Sequence, residues 1–211
     1  MSTAPRYDET ISLPRAVKFP LELLPPEQFD PERLETWPRV AGRLEYAEGK
    51  LLYMPPSGDL QQDTVADVVI ALGSWVRARP QFVLGTNEAG MHLAGATRAA
   101  DAALWRRADV GAYAGGLRRV PPVLAVEVAG PGDGETEGFL TEKAEWYLQV
   151  GVGVVWLVLP ESREVVVITA GGRSRHSGRE PLPPHSQLPG LSPEAAELFR
   201  QIERQCAAPG S

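Results

Sequence analysis

The sequence predicts an α/β fold with a mixed central sheet flanked by helices, and three observations predict it. Residues 123–129 and 154–159 are short apolar runs, each of the length of a strand buried on both faces. Between them, residues 136–150 carry apolar side chains at helical spacing, a crossover long enough to make the two strands parallel neighbours. Residues 43–54 carry strand residues on both sides of a Glu48-Gly49 turn, which reads as a β-hairpin ahead of this core. With 211 residues and 43% hydrophobic content, the chain can bury one sizeable core.

The elements follow in order. Residues 1–40 hold Pro14, Pro20, Pro25, Pro26, Pro31 and Pro38, and read as an extended arm with one short helix after Asp30-Pro31. After the hairpin, Pro55-Pro56 stops the chain. A helix over about 60–79 then follows, with Val65, Val68, Val69, Leu72 and Val76 on one stripe, Asp59 as its cap and Pro80 as its stop. Residues 82–84 and 91–93 are short strands around an Asn87–Gly90 turn, and residues 101–105 are another strand. A Gly-rich loop spans 108–122. After the parallel unit, residues 164–169 read as an antiparallel neighbour, and 171–190 as a flexible loop of Gly, Arg, Ser and Pro. Ser192-Pro193-Glu194 starts a last short helix. The expected organisation is an arm (1–40), one domain (41–205) and a tail (206–211).

Composition excludes several functions. No run reaches the roughly 18 apolar residues of a membrane span, and residues 1–6 contain no apolar signal region. Cys206 is the only cysteine, so no internal disulfide forms, and a reducing cytoplasm is the natural setting. His92, His176 and His185 have no metal-ligand spacing. A net charge of −6 argues against nucleic-acid binding on bulk charge. Residues 98–119 run the other way, with five arginines (98, 106, 107, 118, 119) against Asp101 and Asp109, a local +3.

Three residues stand out. Glu127 lies within an apolar strand, where a lone carboxylate is costly unless a cation pairs with it. Lys143 aligns with Phe139 and Tyr147 on the inward side of the following helix, while Glu142, Glu145 and Gln149 fall outside the stripe. Asp101 opens the strand before Glu127 in sequence. Two carboxylates and a main-chain carbonyl, that of Val128, make an oxygen cage suited to Mg²⁺ or Mn²⁺. Such an ion hydrolyses phosphodiesters, with a lysine to steady developing charge. The alternatives for Glu127 and Lys143 are a buried structural ion pair or a lysine snorkelling to the edge.

The chain resembles the Uma-two family of bacterial restriction-type endonucleases, in the PD-(D/E)XK nuclease superfamily. The matching stretches are Leu44 to Gly49 with Met54 to Ser57; Arg98 to Asp101; Pro122 to Val128; Lys143 through Tyr147 to Val152; Trp156 to Val158; and the tail at Leu188 to Leu191 and Leu198-Phe199. The resemblance runs from about residue 43 to about residue 200. It implies a restriction-endonuclease-like core with an N-terminal hairpin extension. It also implies Asp101 and Glu127 as the motif acids, Lys143 as the lysine supplied from the helix, and Glu45 as a recurrent hairpin acid. Ala129 stands where the superfamily lysine usually does, Ala100 replaces a proline before Asp101, and Gln62 replaces a histidine of the first helix. The reading is a Mg²⁺- or Mn²⁺-dependent endonuclease acting on DNA as a homodimer. The alternatives are a catalytically inactive nuclease-fold protein and a protein that binds a partner protein through its arm.

Overall fold

The computed structural model describes residues 19–112, 115–130 and 136–207, with side chains to Arg204. Most of the expected arm (1–18), the loop after the central strand (131–135), the Cys206 side chain and residues 208–211 lie outside the described residues.

A nine-stranded mixed sheet organises the chain. Its strands are β1 (Leu21–Leu23), β2 (Arg43–Ala47), β3 (Lys50–Met54), β4 (Phe82–Leu93), β5 (Ala96–Arg106), β6 (Leu124–Val128), β7 (Val154–Leu159), β8 (Glu164–Thr169) and β9 (Gly172–Ser177). The spatial order is β1-β3-β2-β5-β6-β7-β8-β9, with β4 paired along β5. Among the described strands, β6 and β7 form the one parallel pair, as the intervening helix requires. The helices are α1 (Asp59–Arg77), α2 (Arg107–Val110), α3 (Glu137–Gln149) and α4 (Arg200–Ala207). Among the described residues no helix is long and apolar enough to cross a membrane.

The expected hairpin and parallel unit are present. The β2–β3 turn holds Glu48 and Gly49 at φ 52° and 80°, the left-handed pair that a two-residue hairpin demands. Thr136 caps α3 by accepting from Phe139 N–H.

Several expectations change. Residues 82–93 are one strand, not two around a turn. Asn87 and Glu88, at φ 58° and 57°, form a bulge that shifts the β4–β5 register between Thr86 and Ala89. Residues 172–177 are an edge strand. Nearly every side chain of β9 is exposed, so no alternation marked it, and Arg175 pairs with Glu164 and Glu137. The loop expected over 108–122 opens with the single turn of α2. Gly58, not Asp59, caps α1, and Asp59 is its first helical residue. The helix expected after Asp30-Pro31 is a 3₁₀ turn at Leu34–Thr36. Ser192 is not a cap either; its hydroxyl donates to Leu182 C=O, and a 3₁₀ turn begins at Ala195. The end of the arm joins the sheet, because β1 pairs with β3.

The sheet separates two cores. On one face Ala102, Leu104, Leu124, Val126, Val128 and Trp156 pack against Val68, Leu72 and Trp75 of α1 and Leu198 and Phe199 near the C-terminus. On the other, Ala103, Ala125, Val155 and Leu157 pack against Leu140, Ala144 and Tyr147 of α3. Strand alternation assigns Asp101 and Glu127 to this second face.

Candidate active site

A seam in the sheet creates the site. The outer edge of β5 pairs first with β2, at Tyr46↔Thr97, and later with β6, from Ala102↔Val126 to Leu104↔Leu124. Between those ladders, backbone groups of β5 and β6 have no strand partner and need others. Side chains supply them. Ala99 N–H donates to Glu45 Oε1 at 3.0 Å, and Ala99 C=O accepts from Lys143 Nζ at 2.8 Å. Val128 N–H donates to Asp101 Oδ2 at 2.7 Å, and Val128 C=O accepts from Gln61 Nε2 of α1 at 2.8 Å.

The four residues expected at the site therefore meet. The β5–β6 register, continued by one pair, sets Asp101 opposite Glu127. Lys143 Nζ lies 3.0 Å from Glu127 Oε2 and 2.6 Å from Glu45 Oε1, so with Ala99 its three donors are all used. Each of Glu45, Asp101, Glu127 and Lys143 is at most 6% exposed.

Five further contributors, Tyr147, Arg98, Arg43, Glu88 and Gln61, carry no signal in the sequence that assigns them to the site. Tyr147 O–H donates to Glu127 Oε1 at 2.7 Å. Its alignment with Lys143 was visible, but its hydroxyl partner was not. Arg98 lies 3.5 Å from Glu45 Oε2 and stacks over Trp146 at 5.1 Å. Arg43 Nη1 lies 3.6 Å from Glu88 Oε1 and 4.0 Å from Asp101 Oδ1. Gln61, not Gln62, is the glutamine that reaches the site; Gln62 is exposed and donates to Ser57 C=O.

Burial pushes the Glu127 carboxyl up to about 8; the Lys143 ammonium opposes the rise, and the charges of Asp101 and Glu45 add to it. Burial pulls Lys143 down, but Glu127 and Glu45 outweigh it and keep the ammonium above its ordinary value. Glu88 is also raised, first by burial. The Tyr147 hydroxyl, raised by burial and by the same carboxylates, stays protonated as a donor.

The donor chemistry fits a hard dication. Among the described residues, the carboxyl groups of Glu45, Glu88, Asp101 and Glu127 gather with Arg43, Arg98 and Lys143, and every acceptor they offer is a hard oxygen. Among the described residues no three His, Cys, Asp or Glu side chains are grouped as a metal site. A cation here would take Asp101, Glu127 and the Val128 carbonyl, whose oxygen keeps a second lone pair beside its bond from Gln61.

A family model, Uma2, with the description "Putative restriction endonuclease", matches residues 31–199. A crystal structure described as "a putative nuclease belonging to DUF820", from Anabaena variabilis, shares the fold with a TM-score of 0.69. The two are 17% identical, and the likeness covers 80% of this chain and 96% of that one. No curated protein matches.

Proposed function

We propose, from the premise that the chain belongs to the Uma2 family, that this protein is a Mg²⁺- or Mn²⁺-dependent endodeoxyribonuclease. One observation carries the reading: Asp101 and Glu127 share a sheet face at the β5–β6 seam, with Lys143 buried against Glu127. A divalent cation held by Asp101, Glu127 and the Val128 carbonyl would polarise a phosphoryl oxygen and acidify water.

The chain's own residues prepare that site. Val128 N–H fixes Asp101, and Tyr147 and Lys143 fix Glu127, so neither carboxylate has to be ordered when substrate arrives. Lys143 keeps its proton and presents positive charge where charge develops on the phosphoryl group. Glu45 acts through Lys143, which it holds at 2.6 Å. Two strands need two cuts, so we further propose a two-fold homodimer working in the cytoplasm.

A second reading keeps the cluster as a structural network without catalysis. The observation favouring it is that all three Lys143 donors are already satisfied inside the protein.

Glu127→Gln separates the two. Under the nuclease reading, plasmid nicking with Mn²⁺ falls by about 10²–10³-fold or more. Mn²⁺ also raises the melting temperature of the wild type and not of the variant. A wild type that is inert on supercoiled and single-stranded DNA, with a melt that Mn²⁺ does not move, leaves the network reading. Light scattering at micromolar concentration should give twice the 22.9 kDa chain mass; a monomer overturns the dimer.

A further inference from the structure

The acid cluster has a mouth, and a cation stands in it. Glu45, Asp101, Glu127 and Lys143 are sealed, but the Glu88 side chain is 37% exposed and the Arg43 side chain 13%. A phosphodiester approaching four carboxylates is repelled unless it first meets positive charge. Lys143 cannot give that first contact without leaving Glu45, Glu127 or Ala99. Arg98 is as exposed as Arg43, but its guanidinium is committed to the sealed Glu45 and to the Trp146 ring. Arg43 instead sits between the open acid and a motif acid, with Nη1 3.6 Å from Glu88 Oε1 and 4.0 Å from Asp101 Oδ1.

Both partners of this contact are set by backbone geometry. Glu88 is delivered by the β4 bulge, at a φ of 57° next to Asn87 at 58°. Two consecutive non-glycine residues in the left-handed region are strained, and such strain persists where the surroundings over-determine it. Arg43 follows Gly42, whose φ is 145°; a Cβ there would run into Met54 C=O and lie 2.8 Å from the Tyr53 ring. That close approach starts β2 where Arg43 can turn toward Asp101.

We infer that Arg43 is the residue that takes a phosphate of the substrate backbone at the mouth of the site, and that Glu88 is the acid that holds Arg43 until phosphate replaces it. The inference rests on the nuclease reading and adds to it the first substrate contact. A guanidinium suits the exchange, because it pairs with carboxylate and with phosphate through the same two parallel N–H bonds. Glu88 and phosphate therefore compete for Arg43.

The competition makes a double-variant cycle decisive. The full-length chain is titrated into a fluorescein-labelled DNA duplex with EDTA present, and anisotropy is read over a salt series. Arg43→Gln weakens binding by about tenfold at low salt, and lowers the slope of log K against log salt by about one. Arg43→Lys restores the slope with part of the affinity. Glu88→Gln tightens binding several-fold, and that gain vanishes in the Arg43→Gln background. A gain that survives there reports general charge at the mouth and overturns the competition. Unchanged affinity and slope in Arg43→Gln, with wild type binding DNA, overturns the Arg43 assignment and leaves the nuclease reading standing. A wild type that neither binds nor nicks DNA sinks both. Should Arg43→Gln fail to fold, Glu88→Gln decides alone: no gain in affinity overturns the proposal.

Discussion

The two faces of strands β5 and β6 are made from alternate residues of the same few positions, yet they behave oppositely. Toward α1 stand Ala102, Leu104, Leu124, Val126 and Val128, all apolar and none more than marginally exposed. Toward α3 the same strands place Asp101 and Glu127, opposed by Lys143 and joined by Glu45 from β2. The first face stabilises by removing apolar surface from water, at about 25 cal/mol per Å². The second removes charge from water, which costs more than simple pairing returns. The sheet can hold such a cluster because its other face, and the apolar remainder of this one, carry the fold.

Removing the cation should break the charged face hardest. Lys143→Met leaves Glu45 and Glu127 buried against each other, and should cost about 3–5 kcal/mol in urea unfolding at pH 8. Much of that loss should return at pH 5 as carboxylates take up protons. A loss equal at both pH values would mean that packing, not charge, holds Lys143.

The apolar face should fail without any pH signature. Leu72 is fully buried in α1 against the sheet. Leu72→Ala should cost about 2–5 kcal/mol through lost burial and a residual cavity. The cost should match at pH 5 and pH 8 and leave the site's proton affinity alone. A pH-dependent penalty would show the two faces to be coupled, and would break the contrast drawn between them.

The proton on Glu127 gives the charged face a pH signature of its own. The folded-state value of Glu127, about 8, lies above its ordinary 4.5. Between those values the unfolded chain gives up the proton while the folded chain keeps it. Stability is therefore fully present below about pH 4.5 and falls as pH rises toward 8, by on the order of 1 kcal/mol per pH unit at the steepest. Glu127→Gln mimics the protonated form and should flatten that window. It should melt with wild type at pH 5 and above it at pH 8. Lys143 keeps Glu45 at 2.6 Å and Ala99 C=O in this variant, so no lysine charge is stranded. A lower melting temperature for the variant at pH 8 would count against the raised carboxyl.

The sequence by itself determined the hairpin, the parallel β6–α3–β7 unit and the anomaly of the buried charges Glu127 and Lys143. Each is local: Glu48-Gly49 meets a turn's backbone demand, Lys143 interrupts an apolar helical stripe, and Glu127 interrupts an apolar strand. A charge placed against a clear period is visible without coordinates, because burial makes it anomalous. What only the tertiary structure decided is which groups answer those charges. Glu45 joins Lys143 because β2 gives way to β6 along the edge of β5, and a strand handover leaves no trace in either strand's own pattern. The Tyr147 hydroxyl finds Glu127 from the helix covering that face, and Gln61 finds Val128 from a different helix. Glu88 arrives through a one-residue register shift in β4 that looks, in sequence, like a turn between two strands. The strand β9 was invisible for the converse reason, since an edge strand exposed on both faces has nothing to alternate. Periodicity reports which side of an element is buried; register and strand order, set by the packing of distant segments, decide what each buried side chain meets there.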